Sequence, residues 1–88
     1  MNLILDGEKI YSKDELHKLM ESVLDFPEWY GRNLDALYDC LADLTEDVDI
    51  QLQNVEAFYR NLGAYADKVL WVLKDAEQTY LNIKLTIN

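Results

Sequence analysis

The sequence predicts an α/β fold in which a three-stranded parallel sheet packs against about four helices. Three short segments have the apolar runs or the alternating pattern of strands. Between them lie two pairs of segments in which apolar residues recur at intervals of three and four, as in amphipathic helices. Because connections of this length suit parallel pairing, we expect parallel strands joined by right-handed crossovers.

The first strand and the first helix have clear boundary signals. Residues 3–5 are apolar and are followed by Asp6-Gly7, a turn signal. Ser12 and Glu15 have the spacing of a capping box, which predicts a helix that begins there. We expect this helix to end at Phe26-Pro27, because the residue before proline is disfavoured in the α conformation. Its predicted apolar stripe is Leu16, Leu19, Met20, Val23 and Leu24.

The rest of the chain predicts three further helices and two further strands. Asn33 and Asn54 are expected to cap the second and third helices, and Gly63 suits the end of the third. Residues 48–53 and 83–87 alternate as half-buried strands do. The stripe of the second helix is Leu34, Leu37, Leu41 and Leu44, with Cys40 on the same side. That of the third is Val55, Phe58, Tyr59 and Leu62, and that of the fourth is Ala66, Val69, Leu70, Leu73, Ala76 and Tyr80.

Length and composition narrow the classes of function. The 88 residues suit a single domain spanning positions 1–88, and 17 acids against 8 bases give a net charge of −9. Nucleic acids and anionic membranes need a basic surface, so this balance favours a basic protein partner. One cysteine, Cys40, excludes an internal disulfide framework and favours a reducing compartment. With neither a signal-peptide pattern nor an apolar run of membrane-spanning length, we expect a cytoplasmic protein.

The most informative feature is an acidic segment beside aromatic residues. Residues 33–59 contain seven acids and no lysine or arginine. Within this segment Asp35, Asp39 and Asp43 recur every four residues, so they lie along one helix face about 6 Å apart per step. Trp29 and Tyr30 precede this helix and Tyr38 flanks its acidic face, which together indicate an interaction surface for a basic cleft. A solvated acidic face is the simpler alternative.

Other reactive side chains have ordinary interpretations. His17 is the only histidine, so no second imidazole is present to share a metal, and we expect it at the surface or the core boundary. Cys40 is expected to be a core thiol, and Trp71 and Phe58 are expected to fill the core. No nucleotide-binding motif and no convincing metal-ligand spacing is present, so no cofactor and no catalytic residue is predicted.

Residues 26–41, FPEWYGRNLDALYDCL, resemble the signature of the barstar family, and the resemblance extends over essentially the whole chain. The family comprises intracellular inhibitors of secreted ribonucleases such as barnase. The resemblance implies a three-stranded parallel sheet with helices, and an inhibitor rather than an enzyme. It also implies that the second helix and its preceding loop plug a basic ribonuclease active site. A plug of this kind suits a one-to-one complex, so we expect the free inhibitor to be a monomer.

The resemblance assigns the contact residues by position. Asp39 corresponds to the aspartate that occupies the substrate-phosphate position, and Asp35 to a second contact aspartate. The resemblance and the surface pattern together give these partner-binding residues: Trp29, Tyr30, Asn33, Asp35, Ala36, Tyr38, Asp39, Asp43 and Asp75. We therefore expect Asp39→Ala to weaken binding far more than Glu21→Ala, a change on the first helix.

Several positions depart from the family pattern and bear on the identity of the partner. Asp43-Leu44 replaces a Gly-Trp pair, Arg32 replaces a glutamate, and Thr79 replaces another. These differences leave an alternative within the same class, namely inhibition of another basic nuclease or toxin as an immunity protein. Two more distant alternatives are a metal-dependent or acid/base enzyme that uses Asp35 and Asp39, and a general acidic binding module.

Overall fold

The computed structural model describes all residues, 1–88, and contains the predicted three parallel strands and four helices. The strands are β1 (Asn2–Asp6), β2 (Val48–Gln53) and β3 (Ile83–Ile87), in the sheet order β1-β2-β3. The helices are α1 (Lys13–Val23), α2 (Leu34–Asp43), α3 (Val55–Leu62) and α4 (Ala64–Thr79). A single 3-10 turn, Gly7–Lys9, follows β1. The predicted fold class is confirmed.

The sheet buries one face. In register, Leu3 pairs with Ile50, and Ile50 pairs with Leu85, so alternate residues of all three strands point toward the helices. The opposite face carries Ile4, Gln51 and Thr86 in one row, and Ile4 is 53% exposed. This one-sided burial explains the alternating pattern of the strands. The helices complete a core of 22 buried residues, including Leu16, Met20, Leu37, Leu41, Phe58 and Leu73.

The capping predictions have mixed outcomes. The Ser12 hydroxyl accepts a hydrogen bond from the Glu15 backbone N–H (3.2 Å), as a capping residue should. Asn54, in contrast, makes no side-chain cap bond, and the prediction that it caps α3 is wrong. It lies in the left-handed region (φ 54°), and its amide nitrogen donates to the Asp6 carboxylate (2.8 Å) instead. Its side chain therefore links the end of β1 to the start of α3.

The end of α1 also differs from the prediction. The helix ends at Val23, before the Phe26-Pro27 signal, and Asp25 takes up a left-handed conformation (φ 55°). The Phe26 backbone N–H then donates to the Glu21 carbonyl (3.0 Å), which satisfies one of the last carbonyls of the helix. The helix is thus stopped by a left-handed turn rather than by the proline.

His17 is a buried residue, which corrects the prediction of a surface or boundary position. Only 1% of it is exposed, and both ring nitrogens have partners: Nδ1 lies 2.5 Å from the Tyr30 hydroxyl and Nε2 lies 2.6 Å from the Tyr65 hydroxyl. The buried face of α1 is rotated relative to the predicted stripe, because Val23 is 39% exposed and His17 points inward. The network joins α1, α4 and the segment before α2.

Trp71 is another correction, because its side chain is 68% exposed instead of filling the core. The neighbouring Val72 is buried, and so are Val69, Leu73 and Ala76 on the inward side of α4. Successive residues of a helix are separated by about 100°, so Trp71 cannot face the same way as Val72. Phe58, in contrast, is fully buried as predicted.

Gly7, the first residue of the 3-10 turn after β1, permits a close approach of this turn to the start of α3. A Cβ at this position would lie 2.3 Å from the Asn54 carbonyl oxygen and 2.5 Å from the Phe58 backbone nitrogen. The Asn61 amide also donates to the Gly7 carbonyl (2.9 Å), so the contact has no freedom to open. Only a residue without a side chain fits between these two backbone segments.

We expect Gly7→Ala to lower the free energy of unfolding by about 3 kcal/mol, since the clash is with backbone and cannot relax by a rotamer change. Urea denaturation followed by circular dichroism measures this cost. Gly31→Ala is the control, because a Cβ there meets only the Asn33 side-chain nitrogen at 3.0 Å and the Ala36 side chain at 3.7 Å. Equal costs for the two variants would contradict the close approach.

The His17 network predicts a pH dependence of stability. Burial lowers the pKa of His17 below its ordinary value of 6.5, and the positive charges of Arg32 and Lys13 act in the same direction, while Asp14 opposes them. The unfolded chain therefore takes up a proton at a higher pH than the folded protein does. We expect the free energy of unfolding to fall as the pH is lowered through about 6.5, by at most about 1.4 kcal/mol per pH unit.

Urea denaturation at pH steps from about 7.5 to about 5.5 tests this expectation above the range where most carboxylates titrate. His17→Gln is the informative variant, because its amide does not titrate in this range. It should be less stable at pH 7.5 and should have a much weaker pH dependence. An unchanged slope in His17→Gln would assign the pH dependence to other groups.

Candidate protein-interaction surface

The acidic face of α2 has the predicted arrangement. Asp35, Asp39 and Asp43 are all exposed, and the opposite side of the helix is buried through Leu37, Cys40 and Leu41. The protein has three ion pairs, and they join only Lys18, Arg32, Asp14 and Glu21. None of the three α2 aspartates is therefore neutralised by a base of the same chain. The arrangement presents three unpaired carboxylates to a partner.

Asn33 fixes the start of this helix. Its side-chain oxygen accepts from the Ala36 backbone N–H (2.8 Å), and its amide nitrogen donates to the Gly31 carbonyl (3.4 Å). The predicted cap is confirmed. The Asn33 side chain is thus engaged on both sides, and Ala36, which is half-buried, supplies the capped backbone group. These bonds set the angle between the loop and the acidic face.

The two aromatic residues of the loop have different environments. Trp29 is 72% exposed, whereas Tyr30 is 5% exposed and its ring packs against Phe26 at 4.9 Å between centroids. The Tyr30 backbone N–H donates to the Pro27 carbonyl (2.9 Å), and burial raises the pKa of its hydroxyl. Tyr30 offers almost no contact area. The assignment of Tyr30 as a direct contact residue stays a prediction, and its burial argues against it. Trp29, in contrast, is accessible to a partner.

The C-terminal end of α4 lies beside α2. The rings of Tyr38 and Tyr80 lie 6.2 Å apart between centroids, and α2 packs directly on α4. The neighbouring Asp75 carboxylate holds the pKa of Tyr38 above its ordinary value of 10.0, whereas Thr79 acts in the opposite direction. The structure thus brings Tyr38 and Asp75 together at the edge of the acidic face, although 37 positions separate them in the sequence.

Arg32 is held against α1. It lies in the left-handed region (φ 51°), and its guanidinium donates to the Glu21 carboxylate through Nη2 (3.2 Å) and Nε (3.4 Å), with Asp14 at 3.8 Å. Its positive charge is thereby compensated. We call the segment before α2 that carries Trp29, residues 28–32, the contact loop. Glu21 supports this loop, so Glu21→Ala is not an independent control for a change at Asp39.

Cys40 lies beneath the acidic face. The thiol is 3% exposed, and burial, followed by the charges of Asp43 and Asp39, raises its pKa above 9.0. A protonated, buried thiol packs as a small apolar group, and the predicted core position is confirmed. The chain contains no group of three or more His, Cys, Asp or Glu residues arranged to hold a metal ion. No helix is long and apolar enough to cross a membrane.

The sequence did not reveal the support beneath the contact loop. His17, Tyr30 and Tyr65 come from three separate segments, and only the folded chain brings them together. The one sequence signal was the position of His17, which directly follows Leu16 of the apolar stripe of α1. An open groove of about 730 Å³ adjoins this network, and its lining includes Lys13, Asp14, Arg32, Asp35 and Tyr65.

Two comparisons with known proteins identify the family of this chain. A Bacillus subtilis (strain 168) protein named "Putative ribonuclease inhibitor YrdF" is 42% identical over 77 residues, which cover 86% of this chain and 85% of that protein. The family described as Barstar (barnase inhibitor) matches residues 1–87. These similarities point to a non-enzymatic inhibitor of a ribonuclease, as predicted. The chain belongs to the barstar family.

Proposed function

We propose that this protein inhibits a basic ribonuclease of the barnase type by inserting α2 and the loop before it into the active site. The observation that carries the proposal is the row of unpaired carboxylates Asp35, Asp39 and Asp43 beside the exposed ring of Trp29. A ribonuclease active site must attract phosphates, so it presents cations to which such a row is complementary.

The spacing of the carboxylates supports phosphate mimicry. Residues four apart on a helix are about 6 Å apart along the axis, so the three carboxylates form a line of anions on a rigid support. Asp39 occupies the centre of this line and has no cation of its own chain nearby. In the complex it would lie among the cationic catalytic side chains, where charge-assisted hydrogen bonds are strongest because water is excluded.

The contact loop is ordered before the partner arrives. Tyr30 is anchored on His17, Asn33 is engaged in the helix cap, and Arg32 is paired with Glu21. A surface that is already ordered loses little conformational entropy on binding, which raises affinity. Trp29 and Tyr38 supply aromatic contact area around the charges, and Asp75 extends the acidic edge onto α4.

The buried free thiol of Cys40 suits a reducing compartment, and we place the inhibitor in the cytoplasm. There it would bind its ribonuclease as a monomer in a one-to-one complex. The compensated charge of Arg32 and the Asp43-Leu44 end of α2 border the proposed surface, and they set which ribonuclease fits best. A different basic nuclease, inhibited through the same face, is the alternative target.

Titration into a barnase-type ribonuclease assay tests the proposal. We expect stoichiometric inhibition, and we expect Asp39→Ala to weaken binding by at least about 100-fold, because the cationic groups of the enzyme would be left buried and unpaired. Glu56→Ala is the matched control. It removes one exposed acid from α3, which carries none of the proposed contact residues.

Circular dichroism establishes that both variants are folded. Equal and small effects of Asp39→Ala and Glu56→Ala would refute the proposed mechanism. If the folded wild-type protein leaves the ribonuclease active, the barnase-type target is wrong, and a different basic nuclease of the producing cell becomes the candidate.

Electrostatic steering gives a second prediction. The association rate constant should fall at least about tenfold when salt is raised from about 0.05 to about 0.5 M, while the dissociation rate constant changes little. Asp35→Asn with Asp43→Asn should reduce this salt dependence, because the charges that guide the approach are removed. Stopped-flow mixing at several salt concentrations measures both rate constants.

Glu56→Gln with Asp67→Asn is the control pair for the steering experiment, since it removes the same net charge from α3 and the start of α4. The same loss of salt dependence in both double variants would assign the steering to net charge alone, contrary to the proposed role of α2.

A further inference from the structure

The indole of Trp71 lies outside the core and is largely exposed. Its side chain is 68% exposed, close to the 72% of Trp29, and the core residues of α4 face away from it. Tryptophan side chains contribute most to interfaces, because they combine a large apolar area with little conformational entropy to lose. An exposed tryptophan on a rigid helix is therefore a candidate contact residue rather than a packing residue.

Trp71 lies next to the proposed interaction surface. Asp75 follows it by four residues, so the two side chains share one face of α4. Asp75 is beside Tyr38 of α2, and Val72 is buried where α4 packs among the helices. The exposed surface is thus continuous from the acidic face of α2, through Tyr38 and Asp75, to Trp71.

The charges around Trp71 are mixed. Asp67 and Asp75 lie four residues before and after it, whereas Lys68 and Lys74 lie three residues before and after it. Neither lysine forms an ion pair. Unlike α2, this part of the surface has no excess of acids, so its contribution to binding would come from apolar contact area and not from steering.

We propose that Trp71 is a second aromatic anchor for the same ribonuclease and contacts an apolar patch at the rim of its active site. The inference rests on the proposed function, and it extends the contact surface from α2 and its loop onto the exposed face of α4. Trp71 then contributes to the affinity and specificity of the complex, while the aspartates of α2 provide the electrostatic attraction to the ribonuclease.

A fluorine label reports on Trp71 directly. The chain has two tryptophans, so the wild-type protein labelled with 5-fluorotryptophan has two ¹⁹F resonances, and the one that is missing from labelled Trp71→Phe belongs to residue 71. We expect stoichiometric unlabelled ribonuclease to shift this resonance and to remove its sensitivity to exchange of H2O for D2O. An unchanged resonance in a complex that inhibits the enzyme would overturn the role of Trp71 and leave the proposed function intact.

Other outcomes of the same experiment separate the two proposals. If no complex forms with either the wild-type or the labelled protein, the proposed function fails and the anchor fails with it. A ¹⁹F shift that depends on the inhibitor concentration before any ribonuclease is added would show that a second copy of this chain covers Trp71, which would also overturn the anchor.

Dissociation kinetics give an independent test. We expect Trp71→Ala to increase the dissociation rate constant about 10- to 100-fold and to leave the association rate constant within about twofold. Ile4→Thr is the control, because it removes an exposed apolar side chain from the uncovered face of the sheet. Equal dissociation rates for Trp71→Ala and wild type, with Asp39→Ala still impaired, would reject the anchor alone.

Discussion

The hydrogen bonds that His17 shares with Tyr30 and Tyr65 are the constraint on which the interaction surface depends. They connect α1, the contact loop and the start of α4 through one imidazole ring. Both ring nitrogens have hydrogen-bond partners, and every other buried side-chain polar atom has one as well. In a dry interior such a network resists distortion, because any movement leaves a polar group unpaired. Tyr30 is buried within this network, while its neighbour Trp29 is exposed.

The α2 helix has opposed requirements on its two faces. Its inner face stabilises the core through Leu37 and Leu41, while its outer face holds three like charges that repel one another by about 0.2–0.5 kcal/mol per pair. A helix selected for stability alone would place lysines between them. The free protein therefore retains an unfavourable charge arrangement, which a cationic partner would turn into favourable contacts.

Local patterns were sufficient to predict much of this fold. Residues 48–53, the Ser12 and Asn33 caps and the exposed acidic face follow from periodicity and capping chemistry, which act over a few residues. The errors concern side chains whose environment is set by distant segments. His17 is buried because Tyr65, 48 positions away, supplies its partner. Asn54 does not cap α3 because its backbone is left-handed rather than extended, and its amide nitrogen donates to Asp6 instead. Trp71 is exposed because its neighbour Val72 is the residue that α4 turns inward.

The sheet also determines when the surface can exist during synthesis. Leu3 of β1 pairs with Ile50 of β2, 47 positions away in the sequence. Each edge strand, β1 and β3, pairs only with the central strand β2. No hairpin can start this sheet, so its first pairing must close a long loop, which is a slow route to a folded state. The support for the contact loop also needs Tyr65, which follows β2 in the sequence and pairs with His17. A ribosome-bound chain lacking α4 would contain the three aspartates of α2 but not the packing of α4 on α2, nor the Tyr65 hydroxyl that binds His17. We therefore expect the complete interaction surface only after α4 has been synthesised.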